Sequence, residues 1–220
     1  MRVPFRSIRL ALLVLLALCF AAPAAAQPDE PPPPYPPLAG PDADAIRATV
    51  RDYQAAVLRR DGPAAGRLVG RESRGYYARM RDMAVSAPEA QVRAAPLMDR
   101  MTILMFRHRV PADQLRTLGG DAAFEHTISD GWVTGMDGDD ITARAAIYGQ
   151  GDRAVIRYDG DMHLVREEGA WRLDMMPIIL AASEEFAQGM DSAEQDEFLL
   201  FVMKQSNGRD PSPDIWQPLP

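Results

Sequence analysis

Reactive sulfur is nearly missing from this chain. Cys19 is the only cysteine among 220 residues, and it lies in an apolar N-terminal stretch. Once that stretch is removed, disulfides, thiolate metal sites and thiol nucleophiles are excluded. Lysine is as scarce, with Lys204 alone. The three histidines, His108, His126 and His163, have no second histidine or paired acids at ligand spacing. Asp137-Gly138-Asp139-Asp140 lacks the spacing and distal glutamate of a calcium loop. No glycine-rich phosphate loop or nucleophile elbow is written. A net charge of −7 gives no electrostatic reason to bind nucleic acid or anionic lipid. No metal and no cofactor are expected.

What is present begins with an export pattern. Arg2, Arg6 and Arg9 precede the apolar run Leu10 to Phe20, and Ala24-Ala25-Ala26 supplies small residues before Gln27. This is the layout of a signal peptide over residues 1–26, cut after Ala26. The run is shorter than the ~18 residues of a spanning helix, so no membrane span is expected after cleavage, and the location is periplasmic or secreted. Cleavage also removes three arginines and makes the chain more acidic. Residues 27–41 are rich in proline and read as an extended, solvated linker.

The folded domain is expected over 42–206, opening at Asp42 or Asp44 as a helix cap. Ile46, Val50, Tyr53 and Val57 recur at helical spacing up to the stop Asp61-Gly62-Pro63. Further helices follow: Ala64 to Val69, Glu72 to Val85, Pro88 to Ala95, and an apolar one over Leu97 to Arg109. Shorter ones run from Pro111 to Leu118 and from Asp121 to Ser129. Gly131-Trp132-Val133 reads as a short strand. Ile178 to Phe186 fits either a strand or a helix. Ser192 and Gln195 fit a capping box for a last helix ending at Asn207-Gly208. Residues 207–220 form a proline-rich tail in which Ile215-Trp216 either folds back or meets a partner.

Between these helices, Ile141 to Met176 alternates like strands. Gln150-Gly151, Asp159-Gly160 and Glu168-Gly169 read as two-residue hairpin turns. On that count Val155 faces Leu164, Ile156 faces His163, Leu164 faces Leu173, and His163 faces Asp174. Each face then mixes polar and apolar side chains, which predicts cover on both sides. A one-residue slip would invert a strand.

Two stretches carry a family resemblance. Tyr53-Gln54-Ala55-Ala56-Val57-Leu58-Arg59-Arg60-Asp61-Gly62-Pro63 resembles the opening of nuclear transport factor 2-like domains, and Glu168-Gly169-Ala170-Trp171-Arg172-Leu173 resembles their last hairpin. The likeness covers about Asp44 to Met176. It implies an α+β, cone-like domain: N-terminal helices packed on a curved antiparallel sheet, with a pocket at the open end and dimerisation through the sheet. The middle and C-terminal helices are extra to that pattern. The family hosts enzymes and binding domains alike, so the fold does not supply a function.

The pocket-lining candidates are Tyr53, Tyr77, Met101, Met105, Leu164, Trp171 and Leu173, suited to an apolar or amphipathic small molecule. At helical or strand spacing the same side chains serve as core. The catalytic candidates are His163 and Asp174, because a carboxylate beside an imidazole raises its basicity. The leading expectation is an exported ligand-binding or accessory domain. The alternatives are a small isomerase, cyclase or hydrolase using that pair, and a protein-interaction module of the cell envelope.

Overall fold

A computed structural model describes residues 35–133, 141–158 and 160–220. The expected signal peptide, most of the expected linker and the Asp137 to Asp140 cluster lie outside them. The fold class is α+β, with nine α-helices and a four-stranded antiparallel sheet among the described residues. The chain divides into two compact units. One joins the residues up to Gly70 with Glu125–Met175; the other joins Arg71–Phe124 with Met176–Pro220.

The first unit opens with α1, Pro41–Leu58. Pro41 occupies the first turn, where its fixed φ suits a helix and its missing N–H costs nothing. Ile46, Val50, Tyr53 and Val57 are buried, as their spacing predicts. Asp42 does not cap the helix. Its carboxylate instead accepts from Trp171 Nε1 at 3.3 Å and pairs with Arg166 at 3.4 Å. Asp61 caps α2 (Gly62–Gly66) by accepting from Ala64 N at 3.0 Å. Gly62 has no room for a side chain: a Cβ there would lie 2.2 Å from the Glu125 carbonyl oxygen.

The strands are β1 (Ala146–Gln150), β2 (Arg153–Arg157), β3 (Asp161–Glu167) and β4 (Ala170–Asp174), paired in that order. The last hairpin has the expected register, with Leu164 opposite Leu173 and His163 opposite Asp174. Its turn residues Glu168 and Gly169 both have positive φ, at 51° and 80°, as a type I′ turn requires. The middle hairpin does not have the expected register. Arg157 pairs with Asp161, leaving three positions in the loop, so Val155 faces His163 and Ile156 faces Met162. The cause is chemical. Arg157 Nε and Nη2 each donate to an Asp161 carboxylate oxygen at 2.6 Å, a fork that fixes these two residues across the loop. The first turn is Gly151-Asp152 rather than Gln150-Gly151, since Gln150 pairs with Arg153.

The slip sorts the faces that had looked mixed. Ile147, Ala154, Ile156, Leu164, Trp171 and Leu173 share one side, and all are buried. The other side carries Arg153, Arg157, Asp161, His163, Arg172 and Asp174, with Val155 buried among them. Both sheet edges are occupied. Leu38 N donates to Ile147 O and Gly149 N to Pro36 O beside β1, while Gly70 N donates to Leu173 O and Leu173 N to Leu68 O beside β4.

One expected strand is shortened and another is absent. Ile141–Ala143 is a 3-10 turn, and β1 starts only at Ala146. The Arg47 guanidinium takes the Thr142 and Ala145 carbonyls, which a strand would have offered to a neighbour. Gly131-Trp132-Val133 closes a helix instead: Gly131 has φ 67° and Trp132 N donates to Thr127 O at 2.9 Å.

The second unit holds α3 (Arg71–Ser86), α4 (Glu89–Ala94), α5 (Leu97–Arg109), α6 (Ala112–Thr117), α8 (Met176–Gly189) and α9 (Ser192–Asn207). The unit boundary falls inside α7, Ala122–Ser129. The apolar α5 is its core element, with Leu97, Met101, Ile103, Leu104, Met105 and Phe106 buried. The segment after Pro177, readable as strand or helix, is the helix α8. The capping box of α9 is Asp191 with Glu194, one residue earlier than expected. Asp191 reaches the free N–H groups of both Ala193 and Glu194, which Ser192, already inside the helix, does not. Ile215 and Trp216 fold back and are buried. Arg93 stacks over the Trp216 ring at 4.1 Å, and Arg107 donates to the carbonyls of Ala84, Ala87 and Ile215.

Candidate ligand-binding cleft

A cleft in the second unit follows from the spacing of α8. Met176, Ile179, Leu180, Ser183, Glu184 and Ala187 recur every three or four residues, which places them on one helical stripe, and all six line the cleft. Met176, Ile179 and Leu180 give the stripe an apolar start, and Ser183 and Glu184 a polar stretch beyond it. Tyr76, Arg79 and Met80 face it from α3, one turn apart, and Leu97, Asp99 and Arg100 from the start of α5. The volume is ≈ 630 Å³, within the range of small-molecule sites. Leu180 is 58% exposed, a large apolar side chain left in water beside the opening.

Hydrogen bonds hold the polar end. Ser183 Oγ accepts from Met98 N at 3.4 Å, serving one of the free N–H groups that open α5. Tyr76 Oη lies 3.2 Å from Thr102 Oγ1 and is also bonded to the Asp99 carboxyl. Burial raises the pKa of both Tyr76 and Asp99. For Asp99 the bond from Tyr76 and the charge of Arg79 offset part of that rise. Arg100 is buried, which lowers its pKa. It is already paired: Nη1 donates to Asp196 at 3.2 Å and Nη2 to Gln195.

The side chains expected to line a pocket lie elsewhere. Tyr53, Leu164, Trp171 and Leu173 belong to the first unit and are buried. Met101 and Met105 are buried on α5. Tyr77 is half-buried, edge-on to Phe124 with ring centroids 5.3 Å apart, and burial pushes its hydroxyl up to about 12. None of the seven lines this cleft. The stripe that does was legible in the sequence as a helical repeat, but only if Ile178 to Phe186 is read as helix.

His163 and Asp174 are brought together as cross-strand partners. Burial holds the His163 imidazole below its ordinary pKa, against the nearby charges of Asp161 and Asp174. The Asp174 carboxylate, however, accepts from Arg153 Nη1 at 2.9 Å. His108 Nε2 donates to Asn207 Oδ1 at 2.8 Å, a contact within the helical unit. No group of three or more His, Cys, Asp or Glu side chains placed to hold a metal ion occurs among the described residues. None of their helices is long and apolar enough to cross a membrane. No protein-family model, curated protein or solved structure matches the chain.

Proposed function

We propose that this protein is an exported binding or accessory module that takes an amphipathic small molecule in the cleft between α3, α5 and α8. The observation that carries the reading is the α8 stripe, which runs from Met176, Ile179 and Leu180 to Ser183 and Glu184 along one wall. Such a wall matches a ligand with an apolar body and a polar end, and a few convergent polar groups on an apolar pocket are what small-molecule sites use. Export rests on the basic start, apolar run and alanine cluster of residues 1–26. The nuclear transport factor 2-like assignment, with its cone and its dimer through the sheet, rests on the Tyr53 to Pro63 and Glu168 to Leu173 stretches and on the order helices, then four-stranded meander. Native mass spectrometry of the protein purified from a periplasmic fraction tests these together. A co-purifying amphipath, released by Leu180→Arg, is expected. A ligand-free protein indifferent to that substitution counts against the reading.

A second reading is a small enzyme using His163 and Asp174, and their cross-strand pairing favours it. The imidazole held neutral by burial suits a base. Arg153 on the Asp174 carboxylate weakens it, because that oxygen no longer orients the ring. Here His163→Ala abolishes an activity while the melting temperature stays within a degree or two. The third reading, an interaction module, has to do without Ile215-Trp216, which are packed within the second unit.

A further inference from the structure

Resting on the amphipath-binding reading, we infer that the cleft takes a head group with a hydrogen-bond-accepting carbonyl oxygen, of the ester class, and seats it on Arg100 Nε. Charge does not sort head groups here: Arg79 and Arg100 stand against Asp99 and Glu184 in the lining. Hydrogen-bond valence does. Arg100 is 6% exposed. Its Nη1 donates to Asp196 at 3.2 Å and its Nη2 to Gln195. Its Nε is buried and meets no acceptor among the described residues. Of the buried side-chain nitrogens in that state, it alone belongs to a residue lining the cleft.

The direction of that N–H follows from the planar guanidinium. Nε–H and Nη2 share one edge of the fork, as Arg157 shows by giving both to Asp161. On Arg100 the Nη2 half of the edge goes to Gln195, which also lines the cleft. The Nε half therefore faces the same side. Gln195 is a flexible side chain, and a small displacement of it admits an oxygen to that edge. A buried donor left without an acceptor costs the folded protein its desolvation, more so on a charged group, and a ligand oxygen recovers that cost. Ser183 is a second donor: its Oγ accepts from Met98 N, and its own proton is unspent. The acceptors of the lining are already served, Asp99 by Tyr76 and the exposed Glu184 by water. An ester carbonyl accepts without donating and adds no charge to an even balance. The apolar wall of Met80, Ile179 and Leu180 takes the alkyl chain.

The test is NMR of the full chain at pH 7, following the Arg100 Nε–H signal and the amides of Leu180 and Ser183. The probes are methyl octanoate and chlorooctane, which has a similar chain and no comparable acceptor. Methyl octanoate is expected to shift the Nε–H signal saturably and slow its exchange with water, whereas chlorooctane shifts the amides only. The ester is expected to bind at least about tenfold more tightly. Arg100→Lys keeps a cation for Asp196 and removes the Nε–H, and it should bring the two affinities within about twofold. Should that variant fail to fold, the wild-type Nε–H signal decides alone. Amides that shift with both probes while Nε–H stays unmoved overturn the head-group inference and leave the cleft reading standing, an ordered water then holding that proton. Equal affinity of ester and chlorooctane overturns it likewise. Amides indifferent to both probes remove the amphipath reading itself.

Discussion

Arg153 Nη1 reaches from β2 across β3 to donate to Asp174 Oδ2 on β4, at 2.9 Å. Asp174 is 6% exposed, whereas the Arg153 side chain is half in water. The pair therefore lies between a buried ion pair and a surface one. Arg153→Gln is expected to destabilise the protein by about 1 kcal/mol, well short of the 3–5 kcal/mol for a fully buried pair. Urea unfolding at pH 7 reads it from the midpoint.

His163 lies between those two residues on the polar side of the sheet, and its pKa is lowered by burial. The unfolded chain therefore takes up the proton first as pH falls. The stabilisation linked to the neutral ring is full above the unfolded value of about 6.5 and is lost as pH falls below it toward the folded pKa. Wild type should lose more stability than His163→Gln between pH 7.5 and 5. Parallel curves for the two proteins would contradict this.

The tail gives a packing prediction. Trp216 is buried under Arg93, and Arg107 ties the Ile215 carbonyl to those of Ala84 and Ala87. Trp216→Ala is expected to cost about 3 kcal/mol, as for other large buried aromatics, with faster proteolysis of residues 209–220. A tail that merely lies on the surface would give less than ~0.5 kcal/mol.

Gly62→Ala tests the first unit. The new Cβ would fall 2.2 Å from Glu125 O and 2.5 Å from Ser129 Oγ. Neither the backbone nor the helix carrying it gives way easily, so a loss of about 2–3 kcal/mol is expected. Gly151→Ala meets no neighbour; its cost comes only from a φ of 64°, about 1 kcal/mol.

How much of this was legible depended on whether the deciding interaction was local. The α5 helix reads directly because its apolar spacing is its own and Pro96 sets its start. The last hairpin reads through Glu168-Gly169 because two residues at positive φ fix its register. The middle hairpin defied the same reasoning because an Arg157–Asp161 fork, invisible to a turn rule, chose a longer loop. The first strand starts later than its alternation suggests for a non-local reason: Arg47, 95 positions away from Thr142, takes the carbonyls ahead of it. The cleft was missed for a third reason. Its main wall is one helical stripe on α8, in a segment whose apolar run Ile178-Ile179-Leu180 reads equally as a strand. Large apolar side chains such as Leu164, Trp171 and Leu173 suit a pocket and a core equally in sequence, and here they are buried.

Asp99 offers a check on whether the cleft bears a stability burden. Burial raises its pKa, so its ionised form at neutral pH opposes folding. The linked stabilisation belongs to the protonated form and fades as pH rises through the folded pKa. Asp99→Asn should therefore melt no lower than wild type at pH 7. A clear drop would assign Asp99 to holding Tyr76 instead.

The central claim is that the α8 stripe binds an amphipath, and amide chemical-shift mapping tests it most directly. Titrating ¹⁵N-labelled protein with decanol should shift the amides of Leu180, Ser183 and Ala187 on α8 and Met80 on α3, saturably, and Leu180→Arg should abolish the shifts. Shifts that never saturate, or that fall on β1 to β4 and leave α8 untouched, would contradict the account.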